Sequence, residues 1–494
     1  MLSPLIRRAE RGSRKANSKE RGVTLALVAA AMVAMIAMAA LSIDIGTLYQ
    51  AKAEAQRAAD AAALAAARII SLSGVTGDPN TAASWGAVCG PAGTATLAAT
   101  SIAQAQWNFV NGAPAPTVTV TYGTGTGSTD CSTLAGSTSS FTVNPTITVY
   151  VQQPSVPTFF GRIFALIPGG TSSTSGVSGT ATAEVYNPSG SGLVGTQTMV
   201  PVQPRCVKPW IVPDIDPLHP PPTLTYCTGV GSGACAKFVE TVGTISTPGT
   251  ILDAPSGVIG ETFNLVADCA AAGTCNSSVG PPAPYFVNPP AANSPATTAA
   301  MPNLQYLPAF VQSPSPAASS CAPSGNDYQQ AIAGCDNTTP YQCGVPTADT
   351  STPTQVNLNE NPYGAAGDTS QAVQCLIHAL GTGAGNGQDL LVMTSFPFQI
   401  MPGSLNPLGI SGTAISSSSS IVSLPIYQHS TPLTTGTQTP TVTIIGFLQV
   451  FINYVNTDGS LNVTVLNVAG CSNNGPGPFV TGSSPVPVRL ITPP

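Results

Sequence analysis

Two adjoining stretches decide the fold: VTLALVAAAMVAMIAMAALSI at residues 23–43 and DIGTLYQAKAEAQRAADAAALAAARII at residues 44–70. The first contains no charged residue and no proline, and about 20 helical residues cross a ~30 Å hydrocarbon core. The second is rich in alanine, the best helix former. We therefore expect one helix that spans a membrane, from Val23 to Ile43, and continues beyond it as a stalk to Ile70.

The charges around the apolar run predict its orientation. Residues 1–21 carry seven basic and two acidic residues, a net charge of +5, whereas the remaining chain carries eight basic and nineteen acidic residues, a net charge of −11. Because Lys and Arg are in excess on the cytoplasmic side of membrane helices, we expect a cytoplasmic N-terminus and a periplasmic or extracellular body. This distribution also argues against nucleic-acid binding.

A cleaved export signal is the alternative interpretation of the apolar run. Ala37-Met38-Ala39 supplies small residues at the spacing of a cleavage site. The run is longer than a usual signal core, however, and a helical pattern follows it, whereas cleavage sites favour extended backbone. We therefore expect the segment to be retained.

The polar residues of the stalk suggest how it is placed. Asp44 is expected at the outer membrane edge, where its carboxylate reaches water, and Gly46 permits close packing or a bend. Glu54–Arg57 and Arg57–Asp60 are i,i+3 pairs of opposite charge. The alanine faces allow close helix packing, and the sequence leaves open whether they pack on the chain's own domain or on a partner.

An ordered combination of residues lies between positions 20 and 70. It consists of Arg21-Gly22, the apolar run, Asp44-Ile45-Gly46, Tyr49, Gln56 and ADAAALA at residues 59–65. This combination resembles the N-terminal TadE/TadG-like module of TadG-like Flp/Tad (tight adherence) pilus-assembly proteins. The resemblance implies a bacterial inner-membrane protein that binds other pilus or secretion-system proteins through its N-terminal helix, and it carries no catalytic residues.

Two features of related systems are missing. A pilin-type processing site would place a glutamate five residues after Gly22, where this chain has Leu27. A von Willebrand A domain would need an Asp-x-Ser-x-Ser motif, and the nearest strings, which begin at Asp349 and Asp368, are incomplete. We therefore expect neither pilin-like processing nor that domain.

The body of the chain is poor in charge and contains 49 Gly and 47 Pro, which together with many Val, Ile and Thr predicts short strands and long turns. A helix is predicted at 95–111, followed by alternating strands near 118–122, 147–151 and 181–185 and a short apolar helix at 157–170. One sheet that buries a single face on helices fits this order.

The predicted fold class is a single-pass membrane protein with a transmembrane-plus-stalk helix, a small α+β domain and β-rich, Pro/Gly-rich regions. The last region ends in three predicted strands, TVTIIGFLQVFINYV, SLNVTVLNVAG and VPVRLITP, with an Asp-Gly turn between the first two. The expected division, in chain order, is a basic cytoplasmic tail (1–21), the membrane helix and stalk (22–72), the α+β domain (75–187), a linker (188–204), a Cys-containing β-rich region (205–280), a Pro/Ala-rich linker (281–318) and a β-rich C-terminal domain (319–494).

Twelve cysteines all lie after residue 88, and no CxxC pair occurs among them. Zinc-ribbon and thioredoxin-like sites are therefore excluded. Disulfides in an oxidising compartment are the simplest explanation, with buried free thiols as the alternative. Cys89 and Cys131 are placed to staple the α+β domain.

Two groups of residues are candidates for a chemical site. Asp214, Asp216 and His219 could form a hard-cation site, but prolines extend that backbone, so a solvated turn is preferred. Cys375 and His378 lie at i,i+3 on a predicted helix and could form a catalytic pair, but a disulfide at Cys375 is preferred. We therefore predict no catalytic, cofactor-binding or metal-binding residue, no cofactor and no small-molecule substrate.

The glycine-rich stretch GTGAGNGQDLL at residues 381–391 departs from phosphate-binding motifs, since it misses GxGxxG and lacks a lysine; a loop is predicted. The function that follows is a non-enzymatic membrane component of a Flp/Tad-type pilus assembly or adherence system, with the lipid bilayer and other pilus proteins as partners. The alternative is an exported adhesin-like binding protein that uses the helix only for export. A periplasmic hydrolase would depend on Cys375 and His378 alone.

Overall fold

The computed structural model describes most of the helices and strands and parts of their connections. The described residues are 18–75, 82–107, 115–123, 131, 145–156, 175–185, 192–193, 196–199, 203–204, 206–218, 237–239, 258–267, 269–271, 274–275, 303–312, 326–334, 336, 341, 354–357, 360, 364, 366–394, 396–415, 417–428, 441–470, 479–480, 486 and 488–491. Residues 1–17 of the predicted tail (1–21) and the apolar helix predicted at 157–170 lie outside them.

The first helix is 55 residues long and confirms the continuous helix that the sequence predicts over residues 23–70. It continues without interruption through Gly46, so the bend that this glycine would permit is not formed. The helix predicted at 95–111 is observed from Thr94 to Gln106, whereas the preceding short helix was not predicted. The helices of the described residues are α1 (Ser18–Leu72), α2 (Ala82–Cys89), α3 (Thr94–Gln106), α4 (Asp327–Ala333) and α5 (Asp368–Leu376).

Twenty strands, most of them short, account for the regular structure in the rest of the described chain. They are β1 (Thr117–Gly123), β2 (Thr146–Val156), β3 (Ser175–Val185), β4 (Gly192–Leu193), β5 (Thr196–Met199), β6 (Gln203–Pro204), β7 (Trp210–Pro213), β8 (Thr262–Ala267), β9 (Cys269–Ala271), β10 (Thr274–Cys275), β11 (Asn303–Pro308), β12 (Thr354–Gln355), β13 (Leu390–Val392), β14 (Gln399–Met401), β15 (Ile421–Tyr427), β16 (Thr441–Val442), β17 (Ile444–Val455), β18 (Leu461–Gly470), β19 (Phe479–Val480) and β20 (Val488–Ile491).

The three predicted alternating strands form an antiparallel sheet in the order β1-β2-β3. Their apolar residues, such as Val120, Val149 and Ala183, are buried on the face that packs against the alanine face of α1 and the buried alanines of α3. Threonines alternate with them along β1 and β2. The predicted sheet with one face on helices is therefore confirmed, and the burial of a single face follows from the period-two pattern of its strands.

Glycine at position 179 allows α1 to lie unusually close to β3. A Cβ added to Gly179 would lie 2.4 Å from both the carbonyl carbon and the carbonyl oxygen of Ala55, and 2.6 Å from the amide nitrogen of Gln56. These are backbone atoms of a continuous helix, so they have little freedom to move aside. Ala51 and Ala55 are fully buried at the same crossing.

A disulfide joins Cys89 at the end of α2 to Cys131, with the two Cα atoms 5.6 Å apart. The predicted pairing is thereby confirmed. Cys206 and Cys375 also take part in disulfides. The disulfide interpretation of the cysteines is therefore supported over free thiols at these four positions.

The last strand of the chain corrects one expectation. The sequence placed VPVRLITP with the C-terminal strands, but β20 instead joins the first sheet and extends its order to β1-β2-β3-β20. Opposite Glu184 in the register lies Arg489, whose Nη2 lies 2.6 Å from Glu184 Oε2. Since Glu184 is 2% exposed in its side chain, this pair compensates a buried carboxylate.

Six strands close into a barrel in the order β11-β7-β15-β17-β18-β8. The pairs β11–β8 and β15–β7 are parallel and the others are antiparallel. The predicted hairpin is confirmed as β17–β18, where Asp458 accepts a hydrogen bond from the Ser460 amide (2.9 Å) and Gly459 takes a φ of +89°. Most residues of β17 are buried, because both of its faces contact apolar neighbours.

The barrel combines segments that the sequence assigned to different regions. Its strands come from the expected regions 205–280 and 319–494, and β11 (Asn303–Pro308) lies inside the stretch expected to be a Pro/Ala-rich linker. The linker assignment is therefore wrong for β11, where Leu304 and Tyr306 point into the core. The expected linker at 188–204 likewise contains the short hairpin β4–β5.

The end of α1 contacts the barrel directly. Gly74, with a φ of +77°, lies so near β18 that a Cβ there would be 2.2 Å from the Leu466 carbonyl oxygen. The Asn467 side-chain amide donates to the Ser71 carbonyl oxygen at 3.3 Å, and the Ser71 hydroxyl donates to the Val486 carbonyl oxygen. The stalk is thus held by both the sheet and the barrel.

The contact at Gly179 can be tested by substitution. We expect Gly179→Ala to destabilise the protein by about 2 kcal/mol, in the range of overpacked cores, because the added methyl group would meet the α1 backbone. Urea denaturation of the full chain in detergent measures this loss. The control is Gly86→Ala within α2, where a Cβ meets nothing within 4 Å and alanine favours helix. Equal stabilities for the two variants would contradict the close approach.

Candidate functional site

The first part of α1 is an apolar helix that the described part of the chain leaves almost uncovered. Every residue from Val23 to Ala39 is exposed, and the most apolar window has a mean hydropathy of 2.5 with none of its residues buried. At 1.5 Å per residue, the 21 residues 23–43 extend about 32 Å, close to the ~30 Å hydrocarbon core of a bilayer. The helix is long and apolar enough to cross a membrane.

Asp44 departs from its expected placement at an open membrane edge. It is only 6% exposed, and Ala40, one helical turn before it, is 9% exposed. These two residues lie on one face of α1, since positions i and i+4 are neighbours on a helix. The expectation that the Asp44 carboxylate reaches water is therefore wrong, and protein packing on this face of α1 begins at Ala40.

The alanine face of the stalk packs on the chain's own domain. Ala58, Ala62 and Ala66 are fully buried in one core cluster with residues of α3 and the four-stranded sheet. Small side chains permit this because a helix can then approach a sheet or another helix closely. The sequence left open whether the alanine face packs on the chain's own domain or on a partner. The structure shows that this face packs on the chain's own domain.

Two polar side chains of α1 bind the backbone of β3. The Gln56 amide donates to the Thr180 carbonyl oxygen (2.8 Å), and its Oε1 accepts from the Thr180 amide (3.3 Å). One turn earlier, the Lys52 ammonium donates to the Ser178 carbonyl oxygen. The spacings match, since four helical residues rise about 6 Å and two strand residues about 6.6 Å.

These contacts give physical roles to Gln56 and Asp60, which belong to the ordered combination of residues between positions 20 and 70. β20 pairs with β3 only at residues 182–185, so Gln56 occupies the position of a neighbouring strand at Thr180 and satisfies both of its backbone groups. The Gln56 amide also lies 2.9 Å from Asp60 Oδ1. Gln56 and Asp60 thus orient the helix on the sheet, and sequence analysis had proposed an i,i+3 ion pair for Asp60 instead.

The solvated turn preferred for the candidate cation site is wrong at its two aspartates. Asp214 and Asp216 are both completely buried, and the Asp216 carboxylate accepts a hydrogen bond from the Leu218 amide at 2.9 Å. His219 lies outside the described residues. Among the described residues, no group of three or more His, Cys, Asp or Glu side chains is arranged to hold a metal ion.

A carboxyl group distant in sequence accompanies these aspartates. Burial raises the pKa of Glu261 well above its usual range, and the negative charge of Asp216 and a hydrogen bond with Asp216 raise it further. Glu261 precedes β8 and Asp216 follows β7, so the barrel brings them together. Glu261 therefore keeps its proton at neutral pH, because burial and a neighbouring negative charge both disfavour its ionised form. Sequence analysis missed Glu261, since no local pattern marks it.

The candidate Cys–His pair is not a catalytic pair. Cys375 is in a disulfide, so it supplies no thiolate. The helix predicted to carry both residues ends at Leu376, and His378 follows in a left-handed conformation with a φ of +57°. The preferred interpretation of Cys375 is confirmed and the hydrolase hypothesis loses its nucleophile.

The incomplete motif at Asp368 has a structural role. Asp368 accepts hydrogen bonds from Gln329 (2.9 Å) and Asn326 (3.0 Å), which join α5 to the start of α4. The next residue, Thr369, accepts a hydrogen bond from the Tyr306 hydroxyl of β11 at 2.9 Å. These contacts fix the two short helices to the barrel.

A buried lysine that sequence analysis did not single out caps α4. The Lys208 ammonium donates to the carbonyl oxygens of Ile332 and Gly334, each at 2.6 Å, at the C-terminal end of that helix. A cation at a helix C-terminus is favourable. Burial lowers the pKa of Lys208 to about 7, and the nearby Asp336 partly opposes this.

The glycine-rich stretch forms a loop, as predicted. The Asn386 amide donates to the Thr382 (2.7 Å) and Gly383 (3.1 Å) carbonyl oxygens inside it. At its end, Asp389 accepts from the Gly403 amide and the Asn406 side chain, both at 2.8 Å. The stretch therefore organises a surface loop of the barrel.

Comparison with known proteins identifies the class of the N-terminal segment. Residues 22–68 match a family described as putative Flp pilus-assembly TadE/G-like. The matched range covers the exposed apolar helix and the residues that bind β3, and it supports a role related to Flp pilus assembly. No curated protein matches the chain, and no solved structure matches it.

The role of Gln56 can be tested at a single amide. We expect Gln56→Ala to make the Thr180 amide exchange with solvent at least tenfold faster, because its side-chain acceptor is lost, and to cost about 1 kcal/mol of stability. Hydrogen exchange of the full chain in detergent measures both. Gln50→Ala, an exposed position of the same helix, is the matched control and should leave the Thr180 amide unchanged. Unchanged exchange in Gln56→Ala would refute the pairing.

The raised pKa of Glu261 predicts a pH dependence of stability. Because the folded-state pKa of Glu261 is raised, the unfolded state releases a proton at lower pH than the folded state, so stability falls as pH rises above about 4.3, the usual pKa of glutamate. We expect Glu261→Gln to flatten this fall and to stabilise the protein at pH 8. Denaturant midpoints between pH 5 and pH 9 measure it. Asp327→Asn, at an exposed position of α4, should keep the native slope, and the same slope in Glu261→Gln would contradict the argument.

Proposed function

We propose that the chain is a non-enzymatic, single-pass inner-membrane component of a bacterial Flp/Tad-type pilus assembly or adherence system. The observation that carries the proposal is the division of α1 into an exposed apolar half (Val23–Ile43) and a stalk locked onto its own domain, within the segment that matches the TadE/G-like family. A helix of this length and composition is suited to a bilayer. The body is thereby held at the membrane surface.

The proposed orientation has a cytoplasmic N-terminus and a periplasmic or extracellular body. The basic residues before Val23 support it by the charge asymmetry of membrane helices. The disulfide between Cys89 and Cys131 supports it independently, because disulfides persist in oxidising compartments. Both signals support the same side of the membrane for the body.

Retention of the helix is supported over its cleavage. Residues 37–39, which carry the small side chains of a cleavage site, lie within the uninterrupted helix α1, whereas cleavage favours extended backbone. The alternative function, an exported adhesin-like protein, requires a mature N-terminus near Ala40. Intact-mass measurement of the purified protein distinguishes the two functions.

The surface available to partners is narrower than the whole N-terminal module. Since the alanine face of the stalk is buried in the chain's own domain, partner contacts through α1 belong mainly to the exposed residues 23–39. Their alanines, such as Ala29, Ala30 and Ala31, are exposed and would let another membrane helix approach closely. We therefore assign docking of other pilus proteins to this part of α1.

The absence of catalysis is supported by the fates of the candidate residues. Cys375 is held in a disulfide, and Asp214 and Asp216 are buried within the fold. The buried Lys208 serves a helix terminus. Cys375, Lys208 and Asp216, which accepts a hydrogen bond from the Leu218 amide, thus each have a structural role.

A segment swap tests the docking role. We expect replacement of residues 23–39 by a leucine-alanine run of equal length to preserve membrane residence and folding but to abolish pilus assembly, because the specific helix surface is lost. Pili are counted by electron microscopy.

The control for this swap is a reporter enzyme that works only outside the cytosol, fused after residue 494. It should be active on the native and the swapped chain alike. Normal piliation of the swapped strain would refute docking through this segment, and an inactive reporter on the native chain would refute the proposed orientation.

A further inference from the structure

A groove opens on the stalk just beyond the apolar run. It has a volume of about 530 Å³ and lies between α1 and the first residues of β3, and its lining residues are Ile45, Leu48, Tyr49, Lys52, Gly176, Val177 and Ser178. We propose that this groove binds a phospholipid of the surrounding bilayer, a proposal that rests on the membrane anchoring proposed above.

The position of the groove along the helix places it at the membrane surface. Counting from Ile43, the last residue of the apolar run, Ile45 lies about 3 Å, Tyr49 about 9 Å and Lys52 about 14 Å further along the axis. The headgroup layer extends about 5–8 Å beyond the hydrocarbon core on each side. The near end of the groove, at Ile45, therefore lies within this layer. The backbone at Tyr49 and Lys52 lies beyond its outer boundary, and helical side chains there lean back toward the membrane.

The chemistry of the groove changes along its length as a phospholipid does. Its near end exposes apolar surface, since Ile45 is 42% and Tyr49 74% exposed. Tyrosine is enriched at membrane–water interfaces because its ring is amphipathic. At the far end lies the ammonium group of Lys52, which complements a lipid phosphate. Helical side chains lean toward the helix N-terminus, which here is the membrane side.

The groove is built by contacts already described, so its shape is fixed before a lipid arrives. Lys52 donates to the Ser178 carbonyl oxygen, which holds its ammonium group beside the start of β3. Leu48 and Val177 pack on a small core cluster that contains Ala51, Trp107 and Val156. The strand side of the groove is thus formed by side chains that pack on this cluster.

The sequence next to the groove agrees with a position at the membrane. β2 ends at Val156 and β3 begins at Ser175, so both strands meet their connection at the groove end of the sheet. That connection contains TFFGRIFALI at residues 158–167, in which Arg162 is the only charged residue. Lipid at this end of the domain fits such a composition.

Quenching by brominated lipid tests the proposal on the full chain in vesicles of phosphatidylcholine and phosphatidylglycerol. Tyr49→Trp places a reporter in the groove, and Gln50→Trp places one at almost the same depth on another face of α1, where Gln50 is exposed. The native chain, with its three tryptophans, gives the background. We expect bromine on the acyl chain near the glycerol to quench the Tyr49→Trp reporter at least twofold more than the Gln50→Trp reporter.

A third variant tests the cationic end. Lys52→Gln removes the charge while its amide can still donate to the Ser178 carbonyl oxygen, so combined with Tyr49→Trp it should lose most of the excess quenching. Equal quenching of Tyr49→Trp and Gln50→Trp in chains that float with the vesicles would overturn the lipid site alone, including the case in which another part of the chain fills the groove. Chains that fail to float would overturn the membrane anchoring itself.

Discussion

The close approach of α1 to β3 is the constraint on which the rest of the structure depends. A helix and a strand whose backbones meet at Gly179 and Ala55 leave no room for larger side chains, so this crossing fixes both the depth and the rotation of the helix. The contacts of Lys52 and Gln56 with alternate residues of β3 then fix its position along the strand. Alanine at the remaining buried positions is what such a distance permits. The alanine-rich character of the TadE/G-like segment thus has an explanation within a single chain.

The barrel and the sheet are coupled through the end of the same helix. Gly74 and Ser71 bring α1 against β18 and residue 486, so the stalk is supported on two sides. A stalk of 28 residues beyond Asp44 extends about 42 Å, and it is packed along much of this length. The domain therefore has little freedom to tilt relative to α1, and a force applied to the body is transmitted to the apolar part of that helix.

Local sequence patterns predicted the local parts of this fold. The continuous helix, the alternation in β1, β2 and β3, the Asp-Gly hairpin and the Cys89–Cys131 disulfide all follow from spacing, composition or proximity in the chain. The barrel could not be predicted from local patterns, because its parallel pairs join strands far apart in sequence. The Pro/Ala-rich composition around β11 also obscured a six-residue strand. Asp44 and Asp216 were expected in water because no local sequence pattern indicates their burial. The residues that bury them are their neighbours in space and not in sequence.

The sheet that holds the stalk is completed by strand β20, at residues 488–491. Some three hundred residues separate the two strands along the chain, so the Thr182–Val185 edge of β3 stays unpaired until β20 has been synthesised and has folded back onto it. An open edge invites pairing with other chains. Docking of β20 therefore protects the sheet that carries the stalk. Loss of residues 488–491 would consequently be felt at the opposite end of the chain, where α1 packs on the same sheet.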